Sequence, residues 1–224
     1  MQTEPIEDDE PTTTPELNPW VSIWTQPRAT IQQIVDSDPE RLVLVLAGIG
    51  GFGSVLDTVR EQGLGDLLSW FPDIVLICAL IGPLVGIVGL YVLSFLLHWT
   101  GKWLGGRGST KLIRAAGAWG QVPAIWGILL WVPLIALFGQ DLFRSDSFGL
   151  ELNPLVGVGF SFDLIGMVLI AWSTVVSLHC LGQVQGFSAW KALGNMALVV
   201  AVVVIPMFVI IVGAVIAGVA LTLM

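Results

Sequence analysis

The chain has 224 residues, a mean hydropathy of +0.86 and a formal net charge of −8, with only 12% of its residues charged. A water-soluble domain carries about a quarter charged residues, so the composition excludes an ordinary soluble enzyme and points to an integral membrane protein. Much of the negative charge is local: Glu4, Glu7, Asp8, Asp9, Glu10 and Glu16 lie in residues 1–17, which hold no Lys or Arg.

That segment, residues 1–17, is also rich in Pro and Thr. It cannot bury a core and is expected to be disordered. An acidic start without a basic region and apolar core argues against a cleavable signal peptide, and Met1-Gln2 is not a myristoylation site. Residues 18–38 carry two helix-start signals, Asn18-Pro19-Trp20 and Gln26-Pro27-Arg28, each a polar cap followed by proline in the first turn. Trp20, Ile23, Trp24, Ile31, Ile34 and Val35 recur at helical spacing, but the stretch is too short and polar to span. It is expected to be an amphipathic helix on the membrane surface; the alternative is a short helix packed on the bundle. Pro39 ends it.

Residues 40–224 hold the spans, at about 20 residues per crossing. The first is expected over Leu42–Leu56, short and rich in glycine (Gly48, Gly50, Gly51, Gly53), hence in close helix contact. An acidic loop, Asp57–Pro72, leads to a second span at Ile74–Trp99 containing Pro83. The basic loop Gly101–Arg114 follows, then a third span at Ala115–Phe138 broken by Pro123 and Pro133. A loop over Gln140–Asn153 precedes a fourth span from about Asp163 to Leu181. A polar turn, Gly182–Ser188, and an interfacial helix, Ala189–Met196, lead to the fifth, Ala197–Leu223, with Pro206 inside it.

Laid through a bilayer in this order, Arg28, Arg41, Lys102, Arg107, Lys111, Arg114 and Lys191 fall on one face, and only Arg60 and Arg144 on the other. Basic loops stay cytoplasmic, so the amino terminus is expected inside and the carboxyl terminus outside the cell membrane. Were the first span re-entrant, the basic loop would lie opposite Arg28 and Arg41. The charges therefore argue for an odd number of crossings. Arg28, Lys102, Arg107, Lys111 and Arg114 are the expected contacts for anionic lipid.

The strings that suggest chemistry are weak. Gly105-Gly106-Arg107-Gly108-Ser109-Thr110-Lys111 has its lysine after the Ser/Thr and no preceding strand, so it is not a phosphate loop and no nucleotide is expected. Gly63-Leu64-Gly65-Asp66 matches a GxGD string, but a second aspartate at similar depth is missing. His98, His179 and Cys180 lack paired ligand spacing, so neither metal nor cofactor is expected. Cys78 and Cys180, both within apolar segments, are expected to be free thiols. No Gly-x-Ser-x-Gly elbow is present, and nothing calls for nucleic acid. Gly82 and Gly86, and again Gly182 and Gly186, put two glycines on one helix face and are expected to be helix-packing positions. Gln121, beside Pro123, with Ser173, Thr174 and Ser177 of the fourth span, makes a candidate intramembrane polar site, because hydrocarbon offers these groups no water. Structural glue between helices is the competing role. No charged residue sits at the centre of any span, which argues against an ion pump.

Asn18-Pro19-Trp20, Pro27-Arg28-Ala29-Thr30-Ile31, Ala118-Trp119-Gly120-Gln121-Val122-Pro123 and Gly186-Phe187-Ser188-Ala189-Trp190-Lys191-Ala192 resemble the YIP (Ypt/Rab-interacting protein) domain family, in the form bacteria and archaea carry. The resemblance runs from Pro19 to the C-terminus and implies the same five-span plan. Eukaryotic members bind Rab-type GTPases; this chain lacks their Asp-Leu-Tyr-Gly-Pro string, Ile81-Gly82-Pro83 being a fragment of it, so that partner is not carried over. The expected fold is all-α, a five-span bundle preceded by an amphipathic interfacial helix. The expected role is non-enzymatic: organising membrane, or scaffolding a protein partner or a second copy, in contact with membrane lipids. The alternative is a small transporter or lipid-handling protein built on helices broken at Pro83, Pro123, Pro133 and Pro206.

Overall fold

The computed structural model describes residues 16–67, 71–144 and 154–222. The acidic positions from Glu4 to Glu10 and the loop residues just before Asn153 lie outside the described residues. Among the described residues the chain is all-α, apart from one isolated antiparallel bridge between Leu64 and Arg144. Five stretches are long and apolar enough to cross a membrane: Val43–Glu61, Pro72–Trp103, Thr110–Phe143, Gly157–Gln185 and Ala189–Val212.

Two short helices precede them. Asn18 Oδ1 accepts from Trp20 N and starts α1 (Pro19–Ser22). Helix α2 (Pro27–Ser37) begins on Pro27, and the Thr30 hydroxyl donates to Gln26 O at 2.8 Å. Ile23, Ile31 and Ile34 are buried with Ala115, Trp119 and Cys180 of the bundle. The apolar face of α2 is thus covered by protein, as in the packed alternative. Trp20 and Val21 remain exposed, at 38% and 68%.

Helices α3 (Val43–Glu61) and α4 (Phe71–Trp103) form the tightest pair. A Cβ added to Gly86 would lie 2.7 Å from Gly51 Cα, and one on Gly82 would lie 2.5 Å from Phe52 Cα. The two backbones touch where only glycine fits. Lipid supplies no hydrophobic drive between helices, so close dispersion contact of this kind carries the association.

The third crossing is composite. Helix α5 (Thr110–Gly120), capped by Ser109 Oγ on Leu112 N, stops at Gln121. Pro123 sits in the first turn of α6 (Val122–Gly127), where its missing N–H is tolerated but cannot continue α5. A 3-10 turn at Ile128–Leu130 leads into α7 (Trp131–Phe138), which contains Pro133. Pro83 and Pro206 behave differently: α4 runs through one and α9 (Ala189–Thr222) through the other. Pro83 packs on Gly48 of α3, where an added Cβ would lie 3.4 Å from Pro83 Cβ, so a neighbour steadies the helix there.

Several boundaries move relative to the sequence expectation. Helix α3 continues past Leu56 to Glu61. Lys102 lies in the last turn of α4, and Lys111 and Arg114 lie in α5, leaving Arg107 alone of the four in the connection. Helix α8 (Pro154–Gln185) begins well before Asp163, so that residue lies inside the helix and does not cap it. The expected interfacial helix Ala189–Met196 and the fifth span are one helix, α9.

Gly182 and Gly186 do not form a helix-packing face. Gly186 takes φ +72° as the residue after α8, and a Cβ there would meet nothing within 4 Å. Phe187 N donates to Gly182 O at 2.6 Å and Gly186 N to Gln183 O at 3.2 Å, the paired bonds of a Schellman stop. Ser188 Oγ then caps α9 on Lys191 N.

The helices alternate in direction, so the ends differ in charge. One end carries Arg28, Arg41, Lys102, Arg107, Lys111, Arg114 and Lys191; the other carries Arg60 and Arg144 among Asp57, Glu61, Asp66 and Asp163. Buried clusters at the basic end draw on α2, α3, α4, α5, α8 and α9. The buried cluster at the acidic end draws on α3, α4, α7 and the turn holding Leu142 and Phe143, with Phe162 of α8 only packed against it. Among the described side chains, α8 meets this cluster through Phe162.

Candidate functional site

Two arrangements merit description, one at each end. At the basic end, three connections are tied into one platform. The Arg28 guanidinium donates to Phe187 O at 3.1 Å and to His179 Nδ1 at 3.4 Å, holding α2 on the α8–α9 turn. Arg107 N donates to Gln185 O, and His98 Nδ1 lies 2.8 Å from Gly108 O, so the ring carries its proton on that nitrogen. Gly101, Gly106 and Gly108 let the 104–109 connection lie directly on the end of α8; a Cβ on Gly108 would sit 2.7 Å from Val184 O. Beneath, the Thr100 hydroxyl donates to Asn195 Oδ1 at 2.6 Å, and Asn195 Nδ2 donates to Leu97 O at 3.0 Å. Gln185 is 2% exposed, and its Nε2 has no partner among the described residues.

The expected lipid-contacting cations divide into two groups. Arg28 is drawn inward by the bonds above. Lys111 and Arg114 both approach Glu40, at 3.7 and 3.5 Å, and Arg114 also covers the Tyr91 ring. Lys102 and Arg107 are exposed and make no ion pair among the described residues. His98, His179 and Cys180 are each engaged in ties between segments, Cys180 Sγ lying 3.7 Å from Pro27 O.

Toward the acidic end lies a crevice of about 1040 Å³ between α3, α6–α7 and α8. Gln121, Ser173, Thr174 and Ser177 line it together; Pro123 is buried behind it and does not. The Ser173 hydroxyl donates to Gly120 O at 2.9 Å and Thr174 to Ile170 O. The Gln121 side-chain amide lies against Gly50, its Oε1 2.8 Å from where a Cβ would be, and makes no hydrogen bond among the described residues. The mouth is charged. Arg60 bridges from α3 to Asp163 of α8 with paired bonds of 2.7 and 3.1 Å, and Asp57, Glu61 and Arg144 line the same opening. The walls between are apolar, including Ile125, Ile128, Leu134, Phe162, Leu169 and Ile170.

Sequence reasoning missed the crevice mouth. A signal was present: Gly50, Gly53, Ser54, Asp57 and Arg60 fall on one face of α3, and Asp163, Gly166, Ser173 and Ser177 on one face of α8. Ending the first span at Leu56 cut the α3 stripe before Asp57 and Arg60, and starting the fourth at about Asp163 left that residue at a span end.

The family model for the Yip1 domain matches residues 21–211, taking in both ends of the bundle. The chain belongs to the Yip1 domain family. No curated protein and no solved structure matches it. As a Yip1-domain chain with five helices long and apolar enough to span, it is a multi-pass membrane protein of the YIP type. The Yip1 match includes the platform's Arg28, Gly101–Ser109 connection and α8–α9 turn, and also the Gln121 crevice.

Proposed function

We propose that this Yip1-domain protein is a non-enzymatic organiser of the membrane, which holds a protein partner or a second copy at its basic end. That end faces the cytoplasm of a prokaryotic cell membrane by the positive-inside rule. One observation carries the reading: Lys102 and Arg107 stay exposed and without an ion pair among the described residues, beside Arg28, which is drawn inward, and Lys111 and Arg114, which approach Glu40. Such cations suit anionic headgroups and an acidic partner surface. Crosslinking in native membranes followed by pull-down tests it. The expected result is a specific partner or a dimer, recovered less in the double variant Lys102→Ala/Arg107→Ala. A strictly solitary protein overturns the reading.

A second reading, a lipid-handling protein or small transporter, is favoured by the crevice. Its support is the polar floor at Gln121 where the third crossing breaks, opening toward a charged mouth.

A further inference from the structure

Three properties of the crevice bear on what it holds. The first is its extent. From Gly50 to Arg60, α3 rises about 15 Å, which is the thickness of one leaflet of a hydrocarbon core of about 30 Å. Along α3 the site thus covers about one leaflet from the acidic surface, and along α8 it reaches from Asp163 to Ser177, about 21 Å. The second is its polarity. Polar groups stand at both ends of the crevice, Asp57 and Ser54 toward the mouth and Gln121, Ser173, Thr174 and Ser177 at the floor. Beside it, α8 exposes Leu164, Ile165 and Val168, and the outer part of α9 exposes an apolar surface through Phe208 to Ile211. A trough with polar ends beside apolar walls at leaflet depth fits an amphiphile whose head enters while its chains stay in the bilayer.

The third property is charge. At the mouth Arg60 is paired with Asp163, and Arg144 lies 3.7 Å from Asp66. Asp57 and Glu61, one turn apart on α3, form no salt bridge among the described residues. The carboxylates available to a ligand therefore outnumber the cations, and they favour a positively charged head group.

We infer that the crevice takes the head of an amine-bearing phospholipid from the leaflet at the acidic end. The ammonium group lies between Asp57 and Glu61, and the phosphate lies toward Arg60. Gly166 keeps the trough open: it lines the crevice, and a Cβ on it would meet nothing within 4 Å. The inference rests on the second reading above and adds the class of head group.

The test uses the full chain reconstituted in vesicles, with two phospholipid probes that carry a diazirine close to the head and differ only in having an ethanolamine or a glycerol head. Photolabelled sites are mapped by peptide mass spectrometry. The ethanolamine probe should label the Phe162–Met167 stretch about fivefold more than the glycerol probe. The double variant Asp57→Asn/Glu61→Gln should bring the two to the same level. Gly166→Phe should suppress crevice labelling of both while leaving labels on the outer part of α9 unchanged; Gly166→Leu, a smaller plug, guards against a failure to fold. Equal labelling of the crevice by both heads overturns the amine preference and leaves a lipid-accessible crevice. Labelling that ignores the plug, or no crevice labelling by either probe, removes the lipid-handling reading as well.

Discussion

The two ends of the bundle use the same residue types to opposite effect. At the basic end, and along the α3–α4 seam, glycines mark places where backbone meets backbone or a side chain: Gly51 against Gly86, Gly120 against Ser177, Gly108 against Val184. Polar side chains there are joined into bonds such as Thr100–Asn195–Leu97. Toward the acidic end, Gly157 and Gly166 meet nothing within 4 Å, and α8 reaches α3 through the Arg60–Asp163 pair across an open crevice. A glycine in a membrane helix thus has two meanings, closeness or vacancy, and only its neighbours tell which. Neither meaning is confined to one end: Gly65 packs on Phe143 at the acidic end, and Gly186 and Gly194 are open at the basic end, so vacancy points to a ligand only where, as at Gly166, the glycine lines a crevice.

The contrast is broken most forcefully at the α3–α4 seam. Gly86→Val pushes a branched side chain into Gly51 Cα, 2.7 Å from the new Cβ, with backbone that cannot yield. Overpacking of this kind costs about 1–3 kcal/mol, and the rigid neighbour places it at the upper end. Thermal unfolding in detergent micelles should show a large loss of stability or no folded protein. A variant as stable as the parent would mean the seam is not close-packed. The next effect in size is at Asn195, fully buried between Thr100 and Leu97 O. Asn195→Leu removes the acceptor of the Thr100 hydroxyl, which keeps Leu96 O, and the donor to Leu97 O, at a cost of about 1–2 kcal/mol read in the same unfolding assay. Equal stability would show that the network adds nothing to the basic end.

The crossings were legible in the sequence because lipid enforces a simple rule: long apolar stretches with charges sorted to their flanks. The Gly82/Gly86 pair was legible as small residues four apart. What it met was not, since Gly48, Gly50, Gly51 and Gly53 all lie in one span and only the packing separates Gly51, on the seam, from Gly50, over Gln121. The Gly182/Gly186 pair shows the same spacing with another cause, a helix stop at φ +72°. The polar set at Gln121, Ser173, Thr174 and Ser177 could be named from residue type at depth. The charged mouth was harder to read, because apolarity fades before a helix ends: Asp57 and Arg60 look like loop residues, and Asp163 like a span end, when span ends are set by hydropathy alone.

A smaller effect is expected at the crevice mouth. The Arg60–Asp163 pair is partly exposed, its side chains 16% and 44% accessible, and such pairs contribute about 0.2–1 kcal/mol. Arg60→Gln should therefore barely lower the unfolding temperature. It should nonetheless loosen α8, since this pair ties α8 to α3 across the opening. A cysteine placed at Thr174 on the crevice wall reports it: maleimide modification should be several-fold faster with Arg60→Gln than without. Cys78 and Cys180 are buried and give a low background. An unchanged rate would show that other contacts hold α8 in place.

The smallest effect carries the sharpest sign. Alanine favours a helix interior over glycine by about 1 kcal/mol, in part by restricting the unfolded chain. At Gly166 the added methyl meets nothing within 4 Å, so nothing opposes that gain, and Gly166→Ala should stabilise by roughly 0.5 kcal/mol. At Gly86 the same substitution, with the same gain in propensity, drives its methyl against Gly51 and must destabilise. The pair is measured side by side in one micelle system, so differences in detergent cancel. Opposite signs are required if one glycine marks contact and the other vacancy. If Gly166→Ala destabilises as Gly86→Ala does, α8 is packed at that level, and the crevice is closed in the folded protein.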